Sequence, residues 1–302
     1  MTVSEASTMP APPRSLDLQV RTVSRARRVR NRVATTLVWL AVALALVPLA
    51  FVLFFVIDKG ASIISWSFLT KAIPRVRAAG PGMGPAVVGT LMITGAATLM
   101  AVPLGVLAAV YLSEYGAANR LASVLRLLSD VMAGVPSIVM GLFIYTVWVL
   151  RFGLSGFAGS LALACLMLPI VIRTTEAMLR LVPRELREAA FALGCTRART
   201  TISVVLPAAL PGMVSGCLLA VARAAGETAP LLFTILAVRE TNLNLFRGPN
   251  TALSTQIFAL ATEPYPGAEA RAWGAALTLI SLVLVLIVIA RLVAVRFTMR
   301  ER

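Results

Sequence analysis

Two opposite charges stand four residues apart within one of the longest apolar runs of the sequence. Arg223 and Glu227 lie in the run 207–238, and a separation of four would place them on one face of a helix. An arginine at mid-bilayer depth costs about 2.5–3.5 kcal/mol on insertion scales, so it is expected to face a pore or a partner. Its forked guanidinium suits an oxyanion. The alternative is a buried ion pair that only fixes helix packing.

The composition indicates that a membrane surrounds these charges. Of the 302 residues, 59% are hydrophobic and 14% are charged, and the mean hydropathy is +0.88, whereas soluble domains are about 45–50% apolar. The net charge of +15 lies in loops and tails between apolar runs, which topology requires, so we do not expect nucleic-acid binding. Histidine is absent, which excludes His-ligated metals and a Ser-His-Asp triad within this chain.

Six apolar runs are of the length that a bilayer of about 30 Å requires, about 20 residues each. We therefore predict an all-α fold, a polytopic membrane bundle with six transmembrane helices. The fifth run would reach roughly 48 Å as one straight helix, so we expect it to break near Gly226 and Pro230. The runs are 36–57, 86–112, 131–150, 157–172, 207–238 and 273–295.

The arginines give the orientation. They concentrate in the tail 1–33, in the loop predicted after the fourth span and after residue 295. Six spans put all three segments on one side, which the positive-inside rule makes cytoplasmic. The basic loop 58–84 disagrees mildly, but the larger excess in the tail outweighs it. The arginines of the fourth-span loop are Arg173, Arg180, Arg184, Arg187, Arg197 and Arg199.

The same pattern divides the chain into four parts. Residues 1–33 are predicted to form a disordered basic cytoplasmic tail, which contacts anionic lipid headgroups. Residues 34–85 contain the first transmembrane helix and an extracytoplasmic loop, residues 86–295 the permeation core and residues 296–302 a cytoplasmic C-terminus.

The segment 183–207 is predicted to be an amphipathic helix, a sharp turn and a second helix outside the membrane. Pro183 suits a first helical turn, and Gly194 suits a left-handed C-cap. The second helix would begin near Thr196 and end at the breakers Pro207 and Pro211. The segment could dock on a soluble partner or pack on its own bundle. Its apolar stripe contains Val182, Leu186, Ala189, Ala190 and Leu193, with Phe191 beside it.

This segment resembles the EAA loop of bacterial ABC importer permeases. The E-A-A of Glu188 is followed at the family's spacing by Gly194 and by Leu206-Pro207, and Val204 replaces the family's Ile. The resemblance implies a coupling helix that docks in a cleft of a cytoplasmic ATPase. The residues implied for coupling are Glu188, Ala189, Ala190, Phe191 and Gly194.

Three further segments resemble the permeases of phosphate transporters. They are residues 84–91 (GPAVVGTL), 133–141 (AGVPSIVMG) and 222–231 (ARAAGETAPL). The resemblance implies the type I ABC importer permease fold and transport of inorganic phosphate. From their charge and spacing, Arg223 and Glu227, with the neighbouring Thr228, are predicted to lie on the substrate path. Glu227 could accept a hydrogen bond from the proton that phosphate carries at neutral pH and sulfate lacks.

The resemblance also implies that the chain lies in the bacterial inner membrane and that it has three partners. These are a second, C-type permease subunit, a homodimeric cytoplasmic ATPase and an extracytoplasmic phosphate-binding protein. The sequence has no G-x-x-x-x-G-K-[ST] loop, so ATP and Mg²⁺ are expected on the ATPase and no cofactor in this chain. An enzyme is disfavoured because Glu227 is the only carboxylate deep in an apolar run. A sulfate or molybdate permease and a membrane scaffold for phosphate sensing remain alternatives.

Overall fold

The computed structural model describes residues 25–78, 80–116 and 119–299, the last seven by their backbone alone. Every regular element among them is a helix, as predicted. Residues 1–24 and 300–302, which include most of the predicted tail and the end of the C-terminus, lie outside the described residues. The helices are α1 Arg25–Ala61, α2 Trp66–Thr70, α3 Gly84–Val110, α4 Arg120–Gly134, α5 Ser137–Ile144, α6 Leu150–Phe152, α7 Gly156–Leu181, α8 Arg184–Ala192, α9 Arg197–Thr200, α10 Leu206–Gly226, α11 Leu231–Thr234, α12 Leu253–Ala261 and α13 Pro266–Met299.

Five of these helical segments, in the part of the chain that is described, are long and apolar enough to cross a membrane. A bent pair, in which α4 meets the helix from Ser137 to Phe152 at 104°, passes the same test only when its two parts are taken together, and the number of spans is then six. The bend falls at Val135, whose ψ of 128° is extended, because the ring of Pro136 disfavours a helical residue before it. The first residues of the predicted run 131–150 therefore belong to α4, on the other side of the bend.

The described part of the first compact unit, which ends at Val52, is the beginning of α1. This helix starts at Arg25, so the prediction that the tail stays irregular as far as residue 33 was wrong. Arginine is a good helix former, and neither Gly nor Pro occurs between Arg25 and Pro48 to stop the helix.

The second unit, from Leu53 onward, has its core between α3, α7 and α10. The helices α3 and α7 run parallel, since a Cβ on Gly105 would meet Val171 and a Cβ on Gly159 would lie near Ile93. Because their contacts involve glycine, the backbones approach closely. The buried core contains Ile93, Ala97, Ala101, Leu163, Met167, Val171, Ala220, Ala224, Leu231 and Ile235.

The fourth span is longer than predicted, because α7 continues to Leu181. Arg173 and Arg180 are therefore helical, and their predicted position in a loop was wrong. Each charge has a carboxylate partner: Arg173 pairs with Asp130, and Arg180 lies 2.6 Å from Glu176. Such pairing lowers the cost of extending the helix beyond its apolar run.

The fifth span begins earlier than predicted and passes both prolines. A continuous helical segment runs from Arg197 to Gly226, so Pro207 and Pro211 do not end the second helix of the loop. A π-helical turn at Thr201–Val205 precedes Pro207, and such turns widen the helix and shift its hydrogen bonds. The predicted break is confirmed, since α10 ends at Gly226 and α11 follows Pro230.

The start of α3 lies against the segment that leads into α12. A Cβ on Gly89 would overlap the carbonyl oxygen of Thr251. The neighbouring Thr90 hydroxyl accepts a hydrogen bond from the Leu253 N–H at 2.8 Å and donates one to the Ala86 carbonyl at 2.8 Å. This contact therefore requires glycine at position 89.

We expect Gly89→Ala to lower the free energy of unfolding by about 1–3 kcal/mol, because a backbone atom cannot move aside as a side chain can. The measurement is the thermal midpoint of the purified complex in detergent. Gly95→Ala is the matched control, since a Cβ there meets nothing within 4 Å. Equal midpoints for the two variants would contradict the contact.

Candidate functional site

The break between α10 and α11 carries the predicted path residues. Glu227 has φ −69° and ψ 130°, so it follows the helix rather than lying on it, and the prediction that it shares a helical face with Arg223 was wrong. The two still face each other, with Arg223 Nε 3.6 Å from Glu227 Oε1. The Arg223 side chain is 69% exposed and the Glu227 side chain 20%.

The backbone of the break is supported from neighbouring elements. The Ser254 hydroxyl donates to the Glu227 carbonyl at 3.0 Å. The Thr228 carbonyl accepts from the N–H groups of Leu231 at 3.1 Å and Leu232 at 3.2 Å. The third-span segment meets the fifth here, since a Cβ on Gly141 would touch the backbone of Pro230. These contacts fix an irregular segment that would otherwise expose unpaired backbone groups.

The small residues of α10 favour helix packing rather than a passage at their own positions. Ala220 and Ala224 are buried, and a Cβ on Gly216 would overlap the side chain of Thr174 in α7. Arg223 is on the exposed side of the same helix. The geometry thus separates a packed face from a face that carries the charge.

The polar segment 250–256 was not singled out from the sequence. All seven residues are buried. The Asn250 Oδ1 accepts from the Gly156 N–H at 2.8 Å, and its amide donates to the Asn242 carbonyl at 2.8 Å. The sequence did contain a signal for this segment, because polar residues that lie beside apolar spans need hydrogen-bond partners within the protein. Which partners these are could not be deduced, since they are distant in sequence.

The turn of the EAA segment agrees with its sequence. Gly194 has φ +79°, the left-handed conformation that glycine adopts without strain. Its N–H donates to the Phe191 carbonyl at 2.9 Å, and the Cys195 N–H donates to the Ala190 carbonyl at 3.1 Å. The predicted C-cap is confirmed.

The apolar stripe of this segment is mostly uncovered. Val182 and Ala190 are buried, each 6% exposed. Leu186 is 45% exposed and Leu193 is 86% exposed. Of the two alternatives that the sequence left open, packing on its own bundle does not hold for the whole stripe, and docking on a soluble partner stays a prediction. Phe191, Glu188 and Ala189 are also exposed, so α8 offers a partner both apolar and charged side chains.

Arg187 anchors α8 to the rest of the unit and was missed as an anchor in the sequence. Its guanidinium donates to the carbonyls of Val182 at 2.6 Å and Leu179 at 2.9 Å, which lie at the end of α7. It also donates to Glu114 Oε1 at 2.9 Å. The pair is largely buried, with side-chain exposures of 18% for Arg187 and 9% for Glu114. One side chain thus caps α7 and ties α8 to the end of α3.

The bundle, the broken fifth span and the uncovered helix beside a left-handed turn define the membrane subunit of a transporter. Residues 101–299 match the family described as "Binding-protein-dependent transport system inner membrane component". The chain belongs to this family, whose members are transport components rather than enzymes.

Several relatives are similar over almost the whole chain. "Phosphate transport system permease protein PstA 1" of Mycobacterium tuberculosis H37Rv is 43% identical over 282 residues, covering 91% of each chain. "Phosphate transport system permease protein PstA" of Yersinia pestis is 42% identical over 268 residues, covering 88% of this chain and 90% of the relative. The protein of that name in Haemophilus influenzae is 40% identical over 267 residues, covering 88% and 94%.

Solved structures of ABC importers share the fold. A bacterial ABC transporter involved in the import of the acidic polysaccharide alginate matches with a TM-score of 0.58 and 14% identity, covering 88% of this chain and 96% of that one. The MetNI methionine ABC transporter, in an inward-facing conformation, matches with a TM-score of 0.53 and 18% identity, covering 72% and 93%. The predicted type I ABC importer permease fold is confirmed.

We expect Arg187→Met to destabilise the complex by about 3–5 kcal/mol, because it leaves Glu114 buried without its partner. The thermal midpoint of the purified complex measures this. The control is Arg199→Met, since Arg199 is exposed and its side chain has no partner among the described residues. If both variants have the same thermal midpoint as the unmodified protein, Arg187 is not an anchor.

Proposed function

We propose that this chain is the permease subunit of an ATP-driven importer of inorganic phosphate and forms half of the translocation path. The observation that carries the proposal is Arg223, which is 69% exposed although it lies in a helix apolar enough to span a membrane. A charge left open on such a helix calls for a water-filled path or a partner. The relatives named for phosphate transport support the choice of substrate.

The chemistry at the break suits a protonated oxyanion. Arg223 offers a forked donor to the oxyanion. Ser254 holds Glu227 through the backbone carbonyl. The Glu227 carboxylate can accept a hydrogen bond from the hydroxyl of a protonated phosphate, and it repels an anion that has no proton. The half-buried Thr228 supplies a hydroxyl that makes no hydrogen bond within the described residues. Together these groups favour phosphate over sulfate or molybdate.

A second permease subunit of the C-type completes the path in this proposal. The Arg223 side of α10 is uncovered in the single chain, and Leu219 on the same helix is 62% exposed. A similar subunit on this side would enclose the arginine between two bundles. An extracytoplasmic binding protein would deliver phosphate to the end where α11 and α12 lie.

A homodimeric ATPase would dock at the opposite end, on the exposed face of α8. Glu188, Ala189 and Phe191 are exposed there, Ala190 and Gly194 hold the turn, and apolar helix faces are a common docking surface. ATP and Mg²⁺ belong to that partner and not to this chain. The arginines of 180–199 support a cytoplasmic position for this end, with both termini on the same side in the inner membrane.

We expect Arg223→Ala to reduce phosphate uptake at least tenfold, because the oxyanion loses its charged donor. In the same assay Glu227→Gln should let excess sulfate compete, because the repulsive charge is gone. The measurement is radiolabelled phosphate uptake in proteoliposomes that hold the whole complex with ATP inside, with unlabelled phosphate, sulfate or molybdate added outside.

Arg151→Ala is the control for the uptake assay, since Arg151 is exposed and lies at the end of α6. Normal uptake by Arg223→Ala would remove this residue from the path. If the unmodified complex hydrolyses ATP but carries no phosphate, the substrate is another oxyanion or the chain serves as a scaffold for sensing.

We expect Phe191→Ala to weaken association with the ATPase about tenfold, which corresponds to about 1.4 kcal/mol, because aromatic anchors dominate such interfaces. Co-purification of the ATPase at graded dilution measures the loss. Trp66→Ala, which removes an aromatic side chain that is 81% exposed in the distant α2, should leave association unchanged. Equal losses would show that the exposed face of α8 is not the docking site.

A further inference from the structure

We propose that a pocket at the α8 end of the second unit binds a phosphoryl group, supplied by inorganic phosphate or by the headgroup of an anionic lipid. The cavity measures about 530 Å³. It lies where the ends of α3 and α7 meet α4, α8 and α9. The charged side chains that line it are Glu114, Arg126, Arg180, Arg184, Arg187 and Arg197.

The pocket has more positive charge than its carboxylates can neutralise. Arg187 pairs with Glu114 at 2.9 Å. Arg126 lies 2.8 Å from Glu176, and Arg180 shares that same carboxylate. Arg184 and Arg197 face no carboxylate within the described residues, so the cavity keeps a surplus of cationic donors. Clefts lined by one sign of charge concentrate the field and attract the opposite ion.

Three of the guanidinium groups that line the pocket, those of Arg126, Arg187 and Arg197, are held by contacts within the protein. Arg126 donates to the Leu112 carbonyl at 2.7 Å, and Arg187 donates to two carbonyls at the end of α7. The Arg197 guanidinium lies 5.1 Å from the centre of the Tyr115 ring, a cation–π contact that fixes its direction. Arginines fixed apart around an open space lose little freedom when an anion enters.

The chemistry of the pocket specifies a phosphoryl group. Guanidinium groups donate in parallel pairs, which match two oxygens of one phosphate. A ligand held by Arg184 and Arg197 would bridge α8 to α9, the two helices that flank the Gly194 turn. The pocket therefore binds its anion between the helices that the turn connects.

This pocket is separate from the Arg223 site. Arg197 and Arg223 lie at opposite ends of the continuous helix from Arg197 to Gly226, about 39 Å apart along its axis. Binding at the pocket therefore does not depend on the proposed transport path, and a variant of Arg223 leaves it intact.

The test uses the purified complex of permease and ATPase subunits in neutral detergent, in an Arg223→Ala background. In one arm, calorimetry measures binding of inorganic phosphate, with sulfate for comparison. In the other, native mass spectrometry counts retained phosphatidylglycerol against phosphatidylcholine. We expect Arg184→Gln with Arg197→Gln to weaken binding at least tenfold in one arm. Binding sites on the other subunits are the same in the parent complex and in the complex with the two Gln substitutions, so they do not contribute to the difference between the two.

Two further variants complete the design. Arg199→Gln removes a nearby exposed charge that does not line the cavity, and it should bind like the parent. Arg184→Lys with Arg197→Lys keeps the charge and should retain more binding than the Gln pair. Loss in the first arm identifies free phosphate as the ligand, and loss in the second identifies the lipid headgroup.

The proposal is overturned if the parent complex binds neither phosphate nor phosphatidylglycerol above its controls. It is also overturned if Arg199→Gln loses as much binding as the Gln pair, since the effect would then be one of total charge. These outcomes are independent of uptake, so a failure of phosphate transport would not produce them.

Discussion

A chain in lipid must satisfy its own backbone hydrogen bonds, and this constraint governs the break at residues 227–230. A continuous helix meets the requirement by itself, whereas the break needs other elements. Ser254 supplies a donor to the Glu227 carbonyl, the first turn of α11 uses the Thr228 carbonyl, and Gly141 allows Pro230 to approach. The close contacts around α3, α5 and α12 are therefore conditions for an irregular segment inside a membrane protein.

Buried charges at the α8 end also need partners, and there side chains supply them. There the arginines that lie against the bundle are met by carboxylates: Arg187 by Glu114, and Arg126 and Arg180 by Glu176. Burying an ion without its partner costs far more than burying the pair. Arg223 contrasts with these arginines, because its side chain is open and its carboxylate neighbour is 3.6 Å away. The matched arginines hold helices together, whereas Arg223 keeps donors free for a ligand.

The parts of the structure that local chemistry decides were predictable. The apolar runs predicted the all-helical class, and Gly194 predicted the left-handed turn. The excess length of the fifth run predicted its break. Errors arose where distant partners override local preference. Arg173 and Arg180 lie in a helix in which Asp130 and Glu176 neutralise them. Asp130 is distant in sequence and could not be deduced, whereas Glu176, four residues before Arg180, was a local signal that was missed. Pro207 and Pro211 are breakers in isolation, but a π-helical turn comes just before Pro207 and Pro211 lies inside α10. Ser254 and Arg187 were missed because their partners are far away along the chain.

The unbroken passage through Pro207 and Pro211 makes the segment from Arg197 to Gly226 one continuous helical element about 45 Å long. Its two ends lie beside the Gly194 turn and beside Arg223. Gly194 has nothing packed within 4 Å of a Cβ position, so no neighbouring side chain stands in the way of a small rotation at the turn. If this segment tilted as one body by about 5° around a pivot near the turn, its length of about 45 Å means that the far end would move by about 4 Å. This is roughly the width of a phosphate ion. Rotation at one glycine would thus become translation at the other end of the bundle.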